Sequence, residues 1–184
     1  MVKPTVQVEA DEDAVGRALC AIIERESAAA IAARGAFAFG ISGGSMLKML
    51  SNLAGESSVD WARSTMAFVS HRCVPLDSDG ATYHKARPKF LDAWAARGLS
   101  VLLPSGSADS EREAAAYEAA LAAAVPRDPR LGLPAFDLLL IGVGLDGPAR
   151  AAAPAPAPAQ ASSCSAGSPW PCAPHARAPL APRR

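Results

Sequence analysis

Two short loops carry residue types that could grip an anion and a sugar. The first, Ser42-Gly43-Gly44-Ser45, lies between the apolar run Phe37–Ile41 and the segment Met46–Leu50. Glycines let a backbone approach an anion, amides at a helix start point toward it, and serine hydroxyls add donors. A plain strand-to-helix turn uses the same residues equally well, so this loop by itself leaves both readings open. It is neither a P-loop nor a GxGxxG fingerprint, which puts nucleotide binding behind. The second loop, Gly142-Val143-Gly144-Leu145-Asp146-Gly147, follows the run Phe136–Ile141 directly. Ligands of open parallel sheets bind beyond the carboxyl ends of strands, so the two loops could face one crevice. Asp146 could bind a sugar hydroxyl or orient another group; an Asp-Gly turn without chemistry is the alternative.

The elements that must position these loops alternate along the chain. Val6 to Val8 reads as a short first strand. Asp11, Glu12 and Asp13 place acids at a helix start, where they suit the backbone amides. From Ala14 to Ala33, Val15, Leu19, Ile22, Ile23 and Ile31 form a helical stripe that Gly35 ends. Phe37–Ile41 has the unbroken apolar character of a buried parallel strand. A helix opens at Met46, a strand covers Thr65–Val69, and a loop runs through Pro75 and Asp77. A helix is expected over Thr82–Ala96, broken at Pro88, which lacks an amide hydrogen. Ser100–Leu103 is a strand and Asp109–Ala124 an alanine-rich helix. After a loop marked by Pro126, Pro129, Gly132 and Pro134, Phe136–Ile141 is the strongest strand in the chain. Strands separated by helices at this spacing predict an α/β fold, a Rossmann-like parallel sheet with helices on both faces.

This grammar stops after Gly147. Residues 148–184 contain nine prolines and thirteen alanines, and no Val, Ile, Met or Phe. The Ala-Pro repeats from Ala153 to Ala159 favour an extended, solvated backbone. Trp170 and Leu180 offer too little apolar surface to offset the entropy of ordering the segment. The expected organisation is therefore an incomplete domain over 1–147 and a disordered tail over 148–184.

The formal charge is zero, but the tail's four arginines leave residues 1–147 with 14 basic against 18 acidic side chains. Nothing in that balance suggests nucleic acid or an anionic membrane surface. No apolar run approaches membrane length, and the first residues lack a signal layout. Cys20, Cys73, Cys164 and Cys172 form no CxxC pair, and with His175 they lack zinc-finger spacing, so neither a metal nor a disulfide framework is expected. A cytoplasmic protein is expected, with a plastid form as the alternative.

Together, the stretches FAFGISGGS at Phe37–Ser45, RCVPLD at Arg72–Asp77 and FDLLLIGVGLDG at Phe136–Gly147 resemble the 6-phosphogluconolactonase branch of the glucosamine-6-phosphate isomerase superfamily. Their order and separation fit as well, so the resemblance covers nearly all of residues 5–147. It implies a Rossmann-like fold without a nucleotide cofactor or metal. It also implies hydrolysis of 6-phosphoglucono-δ-lactone to 6-phosphogluconate, in the oxidative pentose phosphate pathway. Carried over by position, Ser42, Gly43, Gly44 and Ser45 would hold the phosphate of a small sugar phosphate. Arg72 would be a cationic substrate contact, against the alternative of a surface arginine in a solvated loop. Asp146 would sit beside the lactone.

The chain departs from the family pattern at two places. Ser70 and His71 stand where the family has an Asp-Glu pair; His71 reads as a solvated loop histidine before a catalytic one, and His84 as no better placed. Where the family continues Asp-Gly-His, its expected general base, this chain has Pro148, which accepts no proton. A change of reading frame or a retained intron at the Gly147–Pro148 junction is expected, and the other two frames of the transcript test it. Two readings therefore stand beside the lactonase: an isomerase-type enzyme acting on glucosamine 6-phosphate, and a non-catalytic protein that binds a sugar phosphate.

Overall fold

All five residues of β1 (Phe37–Ile41) are buried, and the other elements are arranged around this strand. The computed structural model describes residues 4–55, 57–144 and 147–148. All of them belong to the first of the chain's two compact units, Met1–Ala153. The chain order is α1 (Glu12–Arg34), β1, α2 (Met46–Leu50), β2 (Ser64–Phe68), α3 (Thr82–Ala86), α4 (Asp92–Ala96), β3 (Ser100–Leu102), α5 (Ser110–Ala124) and β4 (Leu138–Leu140). The four strands form one parallel sheet in the order β3-β2-β1-β4. Short pairs β5 (Val143–Gly144) and β6 (Gly147–Pro148) follow, antiparallel to each other.

Alternation along β1 divides the sheet into two unlike faces. Phe37, Phe39 and Ile41 join Met66, Phe68 and Leu140 on one face, packed with Ile23 of α1, Leu47 and Leu50 of α2, and Phe90, Leu91 and Trp94. Trp61 and Trp94 stack at 4.3 Å between ring centroids, and Phe39 meets Trp94 edge-on at 6.3 Å. On the other face Ala38, Ala67 and Leu102 pack with Tyr117 and Val125, so α5 lies on this side. Gly40 completes that face between Ala67 and Leu139. A Cβ there would stand 2.5 Å from Val69 Cγ1 and 2.7 Å from Leu139 Cδ2, so only glycine lets those side chains close over β1.

The ends of α1 follow from its sequence. Asp11 Oδ1 accepts from the Ala14 amide at 2.7 Å, and Gly35, at φ +78°, donates to the Ile31 carbonyl. The α/β class, the parallel sheet and helices on both faces are as the alternation predicts, while three expected elements differ. Val6 and Val8 are exposed and belong to no strand, because no neighbouring strand offers them a ladder. Pro88 does not break its helix. Arg87–Leu91 forms a π turn between α3 and α4, with the Asp92 amide bonded to the Arg87 carbonyl, and the wider turn accommodates the proline ring. The run Phe136–Ile141 shortens to the three residues of β4, at one edge of the sheet. Asp137 places its own carboxylate on the Ala38 amide at 2.9 Å and pairs with Arg34, ending the regular ladder there.

Candidate functional site

The two glycine-bearing loops do meet at the carboxyl edge of the sheet. The Ser42 amide donates to the Leu140 carbonyl at 2.9 Å, carrying the β1–β4 pairing one residue past the strands. The buried Ser42 Oγ then accepts from the Gly142 amide at 2.8 Å, tying the first loop to the second. At Gly142 a Cβ would stand 3.3 Å from that hydroxyl oxygen. Gly43 faces Thr82 at the start of α3, with 3.2 Å from an added Cβ to Oγ1, which brings a third element to the same place. Gly44 has φ +79° and open space around it. Among the described residues, the amides of Gly43, Gly44 and Ser45 donate to no backbone carbonyl, and Gly44 and Ser45 are exposed. Three consecutive uncommitted amides around a left-handed glycine are donors of the kind that suit an anion.

A second cluster stands beyond β2 and β3 and was not foreseen from the sequence. Glu113, on α5, is 2% exposed. Its Oε1 accepts from the Ser105 amide at 2.8 Å, and its Oε2 accepts from the Ser107 amide at 3.1 Å and from Ser105 Oγ. Burial alone would raise its pKa, but these donors, with His71 nearby, outweigh it and hold the carboxyl below its ordinary range. One helical turn on, Tyr117 Oη accepts from the Phe68 amide at 2.7 Å and faces the Leu102 carbonyl at 3.5 Å. It thereby closes the β2–β3 ladder where the strands separate. Burial pushes the Tyr117 phenol up to about 12, against the opposing effect of the Phe68 amide.

His71 sits against both residues. Its Nε2 is 3.4 Å from Glu113 Oε1 and its ring meets Tyr117 edge-on at 5.0 Å, leaving the side chain 15% exposed. The expectation of a solvated loop histidine is therefore corrected: α5 supplies a buried partner from 42 positions downstream. His84 is on α3 as expected, half-exposed, with Nε2 3.7 Å from the fully exposed Asp79 carboxylate. Arg72 is exposed, and no ion pair engages it among the described residues. Asp146 lies outside the described residues, as does the expected tail from Ala149 onward. Pro148 is described only in its backbone, where it pairs with Val143.

No group of three or more His, Cys, Asp or Glu side chains among the described residues is placed to hold a metal. No described helix is long and apolar enough to cross a membrane. Thr82, Ser105, Glu113 and Tyr117 escaped the sequence reading. One signal was present for two of them: Glu113 and Tyr117 are four residues apart in an alanine-rich helix, and so share a face.

A sequence model of a family described as glucosamine-6-phosphate isomerases/6-phosphogluconolactonase matches residues 10–149. A probable 6-phosphogluconolactonase of Schizosaccharomyces pombe is 30% identical over 147 residues, covering 74% of this chain and 56% of the relative. The 6-phosphogluconolactonase of Homo sapiens is 32% identical over 148 residues, 77% of this chain and 56% of the relative. The solved structure of 6-phosphogluconolactonase from Trypanosoma brucei matches with a TM-score of 0.62 at 26% identity, over 77% of this chain and 60% of that one. This chain thus spans a little over half the length of the curated relatives it matches.

Proposed function

We propose that this chain, which belongs to the family of glucosamine-6-phosphate isomerases and 6-phosphogluconolactonases, binds 6-phosphoglucono-δ-lactone and serves its hydrolysis to 6-phosphogluconate. The observation that carries the reading is the uncommitted amide cluster of Gly43, Gly44 and Ser45 at the carboxyl edge of the sheet. A phosphate there would meet three backbone donors and the Ser45 hydroxyl. Ser42 contributes differently: its hydroxyl holds the Gly142 loop against the cradle. Arg72 is the cation for the substrate's anionic end, and Asp146, outside the described residues, is the expected partner of the sugar. The lactonase is preferred to an isomerase on the names of the relatives, and no cofactor enters the reading.

Binding of 6-phosphogluconate by isothermal titration calorimetry tests this with the full chain. Gly44→Val forces a β-branched residue to φ +79° and should weaken binding at least tenfold. A wild-type chain without measurable affinity for 6-phosphogluconate at millimolar concentration would end the proposal. If Gly44→Val bound as tightly as wild type, the cradle would be misplaced. Affinity without turnover would favour the non-catalytic reading that Pro148 suggests.

A further inference from the structure

We propose that His71, facing the buried carboxylate of Glu113, is the group that takes the proton from water during lactone hydrolysis by this chain. This rests on the function proposed above and adds a chemical role that the phosphate cradle cannot fill, since backbone amides and serine hydroxyls do not accept a proton at neutral pH.

Position is the first support. The Val69 amide donates to the Ile41 carbonyl at 2.9 Å, so β1 and β2 leave the sheet side by side. Ser42 is one residue beyond the last register pair, Ile41 and Phe68, and His71 is three beyond it. The cradle and the imidazole thus issue from adjacent strands on the same edge, where parallel sheets bind their ligands.

The second support is the contrast between the two described histidines. His84 pairs with a fully exposed aspartate, an arrangement that solvent screens and side-chain motion loosens. His71 faces a carboxylate that is 2% exposed and fixed by Ser105 and Ser107. A base must be held in one orientation, and the approach of Nε2 to Glu113 together with the edge-on packing against Tyr117 restricts the ring. Glu113 has no need of a histidine for its own satisfaction, because three donors already reach it. The charged and titratable groups that the structure places around His71 are Glu113 and Tyr117 on α5, with Arg72 next in the chain.

The step balances. A water oxygen bonds to the lactone carbonyl carbon, and its proton passes to the free ring nitrogen of His71. The bond from that carbon to the ring oxygen then breaks, and the leaving oxygen takes the proton from the imidazolium. The product is the open-chain hydroxy acid, and His71 returns to its neutral form. Glu113 is a positioning residue, acting through His71.

The test uses the full chain, with hydrolysis of the lactone measured over its spontaneous rate, calorimetry of 6-phosphogluconate binding, and melting by circular dichroism. His71→Asn should lower kcat about 10²-fold or more. KM, affinity for 6-phosphogluconate and melting temperature should stay near wild type. Glu113→Gln, which keeps the side chain's shape but not the charge facing the ring, should lower kcat while KM and affinity for 6-phosphogluconate stay near wild type; a merely structural role would lower the melting temperature and leave kcat of the folded fraction unchanged. His71→Gln provides the same reading should the asparagine variant melt early. Undiminished kcat in a folded His71 variant overturns the assignment and leaves the binding proposal standing. So does a wild-type chain that binds 6-phosphogluconate yet hydrolyses the lactone no faster than buffer. A wild type that does not bind 6-phosphogluconate overturns both.

Discussion

The two faces of the sheet are built from different materials. One carries Phe37, Phe39, Ile41, Met66 and Phe68 and is sealed by helices bringing Phe90, Leu91 and Trp94. The other carries Ala38, Gly40 and Ala67, and the helix over it brings a buried carboxylate and a phenol. Small residues let α5 come close enough for Tyr117 to reach the Phe68 amide and for Glu113 to reach the β3–α5 loop. Large apolar contact supplies stability on the first face, and polar reach sets geometry on the second. The difference teaches that this fold buries its polar side chains where the sheet is thin in side chains.

If that division is right, truncating the aromatic face should cost most. Trp94 is fully buried, stacked on Trp61 and tilted against Phe90 at 4.4 Å, and its Nε1 donates to the Leu53 carbonyl at 3.0 Å. Trp94→Ala should destabilise by about 3–5 kcal/mol through the cavity and lost contacts. Chemical denaturation measures this, and a loss below about 1 kcal/mol would mean that the face collapses to refill the space.

On the α5 face a single atom suffices for the test. Tyr117→Phe removes the acceptor of a buried amide, which should cost about 1–3 kcal/mol for the unsatisfied Phe68 N–H. The same residue marks alkaline behaviour. Its folded pKa, about 12, stands above the ordinary value near 10, so its contribution is complete below about pH 10 and fades as pH rises toward 12. Wild type should therefore lose stability across that window more steeply than Tyr117→Phe. Parallel slopes for the two proteins would show that the phenol is not held as the structure has it.

These unlike faces also explain what could be read from the sequence. The aromatic face was legible, because Phe37–Ile41 and the stripe through Leu19 and Ile23 announce burial through local pattern. The cradle was legible as a loop type, since Ser42–Ser45 follows a strand and precedes a helix. Its meeting with the loop after Ile141 was expected too, but its reinforcement by Thr82 was not, because that residue reaches it from 38 positions beyond Gly44. His71 was misjudged for the same reason. Its neighbours in the chain look like a solvated loop, while its partners are on a helix whose alanine-rich composition advertises little. The strength of β4 was overstated because apolar runs report hydrophobicity, not place in the sheet. Leu139 and Ile141 remain 48% and 58% exposed at an edge with one described neighbour.

The smallest effect on stability, and the sharpest on function, should come from Arg72. It follows His71 in the same loop but is exposed and takes no part in the α5 network. Arg72→Ala should change stability by no more than about 0.5 kcal/mol, as surface substitutions do. If its guanidinium meets the anionic end of the sugar phosphate, the lost charge-assisted bonds are worth about 1.5–3 kcal/mol. That converts to a weakening of 6-phosphogluconate binding of roughly ten- to 150-fold. The deficit should shrink as salt is raised, because an exposed cation's attraction is screened over about 8–10 Å. Lys should restore only part of the affinity, having the charge without the planar fork of donors. An Arg72→Ala chain that binds normally would leave the anion to the backbone cradle alone, and one that melts early would move Arg72 from recognition to structure.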